Sequence, residues 1–238
     1  MPGLPIQDRP PRKVISWNLL RAIGASLDDI VDLIEQERPD LLLMQEATLQ
    51  VEGLCARVGG TFSRAPMPGR SHGPAMWSPT PWAHPPMVLT LPAGSLVDRV
   101  CQILDCGDYA IANVHLSHGQ LLNRRQLRRL AKVLPPHAAV LGDFNLVGPV
   151  MLPGFRDAGP RRPTFHIVDM LPVRLDRCMV RGLVCRDCGV LPRGRSDHRP
   201  IVVHLSFAGP HAPRATFRDR VRAIGSRRRA AVSGAAAK

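Results

Sequence analysis

The chain has 238 residues, is 45% apolar and only 4% aromatic, and carries a formal net charge of +13. That length suits one α/β domain, and no apolar run reaches the roughly 20 residues a membrane-spanning helix needs. The first 13 residues lack an apolar signal-like core, so we expect a cytoplasmic protein.

In chain order, residues 1–12 hold four prolines and are expected to form an extended lead. Val14 to Asn18 reads as a buried strand ending in a polar residue. Ser26 then opens a helix, with Asp29 completing a capping box. Leu27, Ile30, Val31 and Ile34 give that helix one apolar face, and Pro39 ends it. Leu41 to Met44 is a second buried strand that runs into Gln45 and Glu46. Between Thr61 and Asp108, proline-rich segments alternate with short apolar runs, the pattern of antiparallel strands and turns.

Tyr109 to Leu116 is a further strand with His115 near its end. Residues 121–134 form a basic helix whose core face is Leu122, Leu127, Leu130, Ala131 and Leu134. Ala138 to Leu141 is a strand that delivers Asp143 and Asn145. Leu175–Val180 and Val184–Leu191 read as a pair of neighbouring strands, and Ile201–Phe207 is the last strand. Residues 209–238 shift to Ala, Arg and Gly with a net charge of +7, a basic tail expected to be disordered apart from one short helix over 216–224. Strands dominate, so we expect two sheets packed face to face with helices outside, in a domain spanning residues 13–208.

Six short apolar runs each end in a polar station: Ser16-Trp17-Asn18, Gln45-Glu46, Asn113-Val114-His115, Gly142-Asp143-Phe144-Asn145, Leu175-Asp176-Arg177 and Ser196-Asp197-His198-Arg199-Pro200. Carboxylates and carboxamides are the ligands of a hard divalent cation, which takes one or two carboxylates plus waters and phosphate oxygens. Glu46 and Asp197 can serve in this way, with Asn18 as a neutral partner. An Asp such as Asp143 can orient or deprotonate a water, and Asn145 can donate to a developing phosphoryl oxygen. If the segment is extended, both side chains fall on one side. Asp197 and His198 are adjacent and do not readily bond each other. His198 therefore needs another acid to fix its tautomer, and Asp176 is the candidate. Cys185-Arg-Asp-Cys188 is a lone CxxC, short of the four ligands a zinc site takes. Reduced thiols are the expected state of all six cysteines.

The ordered set of stations resembles the endonuclease/exonuclease/phosphatase superfamily, the deoxyribonuclease-I-like fold, over residues 14 to about 206. The resemblance implies a four-layered α/β sandwich of two mostly antiparallel sheets and a Mg²⁺- or Mn²⁺-dependent phosphoesterase. It implies that Glu46 is the main metal ligand, with Asn18 and Asp197 beside it. Asp143 would activate the water and Asn145 would stabilise the phosphate. Asp176 would pair with His198, and His115 would be the second imidazole on the phosphate. One departure stands out. Many members place an acid in mid-chain to partner the equivalent of His115, yet no Asp or Glu occurs between Arg64 and Val97. His115 is then left to a backbone carbonyl or to lower basicity. The spans from His115 to Asp143 and from Asn145 to Asp176 are short, which weighs against a repair nuclease with long inserted loops.

The fold does not name the substrate. The basic body, the cationic helix with Arg124, Arg125, Arg128, Arg129 and Lys132, and the tail favour nucleic acid as substrate. An anionic small molecule or a phospholipid headgroup is the alternative. A decayed enzyme that only holds nucleic acid is a third reading, opposed by the presence of every expected catalytic position. A monomer is expected.

Overall fold

A computed structural model describes residues 10–93, 98–167 and 171–207. Residues 1–9 of the lead expected over 1–12, and the tail with its helix over 216–224, lie outside the described residues; at Arg12 the expected lead has already entered the first strand.

The strands form two mixed six-stranded sheets. Their elements in chain order are β1 (Arg12–Asn18), α1 (Leu27–Glu37), β2 (Leu41–Ala47), α2 (Leu54–Val58), β3 (Thr61–Arg64), β4 (Gly73–Ser78), β5 (Met87–Thr90), β6 (Val100–Asp105), β7 (Ala110–His115), α3 (Gln120–Val133), β8 (Ala138–Asp143), β9 (Arg156–Asp157), β10 (Phe165–Ile167), β11 (Leu171–Val173), β12 (Asp176–Arg181), β13 (Leu183–Val190) and β14 (Ile201–Phe207). The first sheet runs β13-β14-β1-β2-β4-β3 and the second β5-β6-β7-β8-β12-β9, with β10-β11 a separate hairpin. Each sheet holds one parallel pair, β1/β2 or β7/β8, and is otherwise antiparallel. A parallel pair needs a crossover. Helix α1 supplies it in the first sheet and α3 in the second.

Helix α1 starts where the capping box was expected: the Ser26 hydroxyl accepts from the Asp29 amide, and the Asp29 carboxylate accepts from the Ser26 amide. Such a cap stabilises by about 1 kcal/mol. Ile30, Val31 and Ile34 bury against the outer face of the first sheet. Leu127, Leu130 and Val133 of α3 cover the outer face of the second. Val14, Leu41, Leu43, Ile111, Ala139, Leu141 and Val203 fill the space between the sheets. The result is the four-layered α/β sandwich expected from the sequence.

One strand pairing differs from expectation. Strands β12 and β13 do not pair with each other. Strand β12 lies between β8 and β9 in the second sheet, and β13 pairs with β14 in the first. The chain crosses between sheets at Gly182, which has φ +65°. A Cβ there would sit 2.2 Å from the His137 ring and 2.7 Å from the Pro136 carbonyl. Two apolar runs one glycine apart look like a hairpin in sequence; the crowding at Gly182 turns them into a corner.

The interior between the sheets changes character along the strands. Because side chains alternate, Val14, Ser16 and Asn18 face inward from β1, and Ile111, Asn113 and His115 from β7. At one end the layer is apolar, in the middle it is hydroxyl and amide (Ser16, Gln45, Asn113), and at the other end it is ionisable. All of these middle side chains are buried.

Candidate active site

The ionisable end opens into a cleft of about 380 Å³ lined by Asn18, Glu46, His115, Asp143, Asn145, Asp197 and His198, among others. Of the eight site residues expected from sequence, seven line this cleft. The eighth, Asp176, lies directly behind His198.

Asp143 is the centre. It ends β8 opposite His115 of β7 and opposite Asp176 of β12. Its Oδ2 accepts from Asn18 Nδ2 at 3.1 Å and lies 3.4 Å from His115 Nε2 and 3.7 Å from His198 Nε2. Its Oδ1 accepts from the Asn145 amide at 2.8 Å. Burial pushes its pKa up to about 6; the Asp176 charge adds to the rise, while His198, the Asn145 amide and Asn18 oppose it. The residue before it, Gly142, has φ +140°, and a Cβ there would fall 1.9 Å from the Val114 carbonyl oxygen. The glycine thus lets β8 approach β7 at the site.

The segment after Asp143 is not extended. Asn145 has φ +48°, and its amide is turned back onto Asp143 as in an Asx turn. Its Nδ2 donates to the Leu116 carbonyl at 2.9 Å. The two polar side chains reach one cleft through this turn and not through strand alternation. From α3, the buried Asn123 donates to the Phe144 carbonyl, and Gln126 accepts from the Ser117 amide. These contacts tie the two loops leaving β7 and β8 together.

His198 Nδ1 lies 2.8 Å from Asp176 Oδ2, the pairing expected from sequence. Thr164 Oγ1 accepts the amides of Leu175 and Asp176, and Trp17 Nε1 donates to the His198 carbonyl. Burial opposes a charge on His198, yet Asp176, Asp143 and Asp197 together push its pKa up to about 10. His115 has no such partner. Its Nδ1 is 3.9 Å from Glu46 Oε1. Burial, with Arg99 next, holds it well below 6.5. With no carboxylate hydrogen-bonded to its Nδ1, His115 is the less basic of the two imidazoles.

Glu46 sits in a left-handed conformation, φ +56°, where β2 and β4 lose register. Its Oε2 accepts from Arg21 Nε at 3.2 Å. Among the described residues no cluster of three or more His, Cys, Asp or Glu is gathered as a metal cage. The donors that line the cleft are the oxygens of Glu46, Asp143, Asp197 and Asn18. That hard, all-oxygen set, three carboxylates and one carboxamide, fits Mg²⁺ or Mn²⁺ completed by waters, and fits zinc poorly.

Arg21 and Arg99, not singled out from sequence, also line the cleft, and so does His118. Arg99 is only 8% exposed, its Nε has no hydrogen-bond partner among the described residues, and its guanidinium approaches Met67 Sδ at 3.8 Å. An arginine in a loop carries no motif, so only the fold reveals it. Conversely, the cations of α3 are not among the lining residues.

A sequence model described as "Endonuclease/Exonuclease/phosphatase family" matches residues 15–198. No curated protein matches the chain. Among solved structures, an endonuclease/exonuclease/phosphatase protein from Beutenbergia cavernae is 18% identical with a TM-score of 0.66, covering 84% of this chain and 72% of that one. The corresponding protein from Bacteroides vulgatus is 15% identical with a TM-score of 0.68, covering 84% and 100%. TDP2 from C. elegans, in truncated form, is 19% identical with a TM-score of 0.62, covering 83% and 97%. At these identities the likeness is one of fold. Among the described residues no helix is long and apolar enough to cross a membrane.

Proposed function

This chain belongs to the endonuclease/exonuclease/phosphatase family, and from that premise we propose that it is a divalent-metal-dependent phosphodiesterase acting on nucleic acid. The observation that carries the reading is the convergence of seven polar side chains from five stations on one cleft, with Asp176, from the sixth, behind His198.

In this reading Asp143 takes the proton of the attacking water. With a pKa near 6 it is ionised at neutral pH yet still a competent base. His198, kept protonated by Asp176, places a fixed positive charge against the phosphoryl oxygens and stabilises the leaving oxygen. Neutral His115 offers one N–H to a non-bridging oxygen, as does the second amide hydrogen of Asn145. Glu46, Asn18 and Asp197 would hold Mg²⁺ or Mn²⁺, which when bound supplies Lewis-acid polarisation of the phosphate. Arg21 and Arg99 add positive charge at the cleft, and the net charge of +13 favours a polyanion.

A second reading, hydrolysis of a phospholipid headgroup or phosphomonoester by the same residues, draws support from Ile23, Val147 and Met151. These apolar side chains are exposed on connections that leave the catalytic end. The six cysteines are all free, which supports a cytoplasmic, reducing setting, and we take the active form to be a monomer.

The test is hydrolysis of plasmid DNA, single-stranded DNA, RNA, phosphomonoesters and phospholipids with Mg²⁺, with Mn²⁺ and with chelator, beside Glu46→Ala. Metal-dependent cleavage of nucleic acid, absent in the variant, is the expected result. Release of a headgroup or phosphate with nucleic acid left intact moves the protein to the second reading. No turnover of any substrate sinks both.

A further inference from the structure

Glu46 is aimed into the cleft by an irregularity in β2. The ladder with β4 pairs Leu43 with Met76 and Met44 with Ala75, then resumes at Ala47 with Gly73. Three steps on β2 face two on β4, so one residue is extra, and Glu46 takes a positive φ that non-glycine residues rarely adopt. A bulge of this kind needs something to hold it, because the left-handed conformation is strained for a residue with a Cβ.

The holder comes from the opposite sheet. Asn113 of β7 is fully buried. Its Nδ2 donates to the Met44 carbonyl and to the Ala75 carbonyl, both at 2.9 Å. These are the last paired residues before the bulge. Its Oδ1 accepts from Gln45 Nε2 at 2.7 Å, and the same Gln45 nitrogen reaches Ser16 Oγ at 3.1 Å. Both donors of the Asn113 amide and its acceptor are therefore spent on one purpose, which fixes its orientation. Only a carboxamide offers two donors and an acceptor at this length. Asn113 also lies two residues before His115 on the same face of β7.

We propose that Asn113 is a positioning residue: its carboxamide clips the β2 bulge from across the sandwich and so sets Glu46 at a fixed place relative to His115 and Asp143. Glu46 on the first sheet and His115 on the second are thereby registered through a single side chain. The inference rests on the proposed role of Glu46 for its effect on metal, but the clip itself is a property of the fold.

The test uses the full chain with Asn113→Leu, which keeps nearly the same shape with neither donor nor acceptor. Gln45→Met breaks the clip from its other side, and it carries the test if the first variant does not fold. Val203→Ala, in the apolar layer between the sheets, is the control that destabilises elsewhere. Two quantities are read: hydrogen exchange of the backbone amides of residues 45–47, and Mn²⁺ affinity from the electron paramagnetic resonance of free Mn²⁺. The expected result for Asn113→Leu is exchange accelerated at those amides and Mn²⁺ binding weakened about tenfold or more, the range seen when an outer partner of a metal ligand is lost. Gln45→Met shows the same pattern more weakly, and Val203→Ala shows neither change. Exchange and affinity unchanged in both clip variants, or changed equally in the control, overturns the proposal. If wild type binds no Mn²⁺ while the clip variants still free the bulge, the clip stands and the metal role of Glu46 falls.

Discussion

The two imidazoles of the cleft make a natural comparison. His115 and His198 are each 5% exposed, and their Nε2 atoms lie 3.4 Å and 3.7 Å from the same Asp143 oxygen. Yet His198 is pushed up to about 10 while His115 is held well below 6.5. Equal burial penalises the charged form in both. The difference comes from what stands behind each ring: Asp176 at 2.8 Å from His198 Nδ1, and for His115 only Glu46 at 3.9 Å, with the Arg99 guanidinium lowering it further. A site can therefore carry one charged and one neutral imidazole through the placement of one carboxylate.

The largest effect on this comparison comes from removing the group the two rings share. Asp143→Ala is expected to lower kcat by about a thousandfold, the scale of a lost general base, in a steady-state assay on whichever ester the substrate panel identifies. Activity within a few-fold of wild type would break the assignment. Next, Asp176→Asn removes the charge that separates the two histidines. Roughly a hundredfold loss of kcat is expected, and ¹⁵N NMR titration should find the His198 ring nitrogens titrating well below the wild-type position. Smaller again, His115→Asn keeps a neutral N–H donor. About a tenfold loss is expected, less than the deletion of an oxyanion donor causes, with no change in the shape of the pH profile above pH 7.

Stability sharpens the same contrast. The folded pKa of His198 lies above its ordinary 6.5. Its contribution is therefore fully present below about 6.5 and is lost as pH rises through about 10. The stability difference between wild type and His198→Gln, from urea unfolding at a series of pH values, should shrink over that window. A difference that grows with pH would contradict the assignment. The smallest effect is expected from Arg99→Met, which removes a secondary cause of the low His115 pKa. The NMR titration of His115 should move upward but stay below 6.5, because burial remains the larger cause.

Much of the site was legible in the sequence because each station closes an apolar run. Strand alternation carries Asn18, His115 and Asp143 to one face at the same end of the sandwich, and Asp176 was the candidate partner for His198. The capping box at Ser26 was readable for the same local reason. What was not legible depends on contacts between sheets. The reach of Asn113 to the Met44 and Ala75 carbonyls links residues 69 and 38 positions apart. Arg99 becomes part of the cleft only when β6 has paired with β7. The corner at Gly182 is set by backbone crowding that a residue pattern does not express, whereas the turn at Asn145 is held by its amide on Asp143 Oδ1, a turn these residue types favour. The cations of α3 are missing from the cleft because the helix turns its apolar stripe to the second sheet.

The corner at Gly182 also bears on how the molecule can move. Strand β12 starts at the cleft with Asp176 and ends at the far side with Arg181, and β13 begins there at Leu183. A single residue thus carries the chain from one sheet to the other at the foot of the sandwich, as the longer connection over residues 79–86 does between β4 and β5. Movement of one sheet against the other is opposed at the mouth as well as at the foot: Asn18 on the first sheet donates to Asp143 on the second, and Asn113 on the second donates to the Met44 carbonyl on the first.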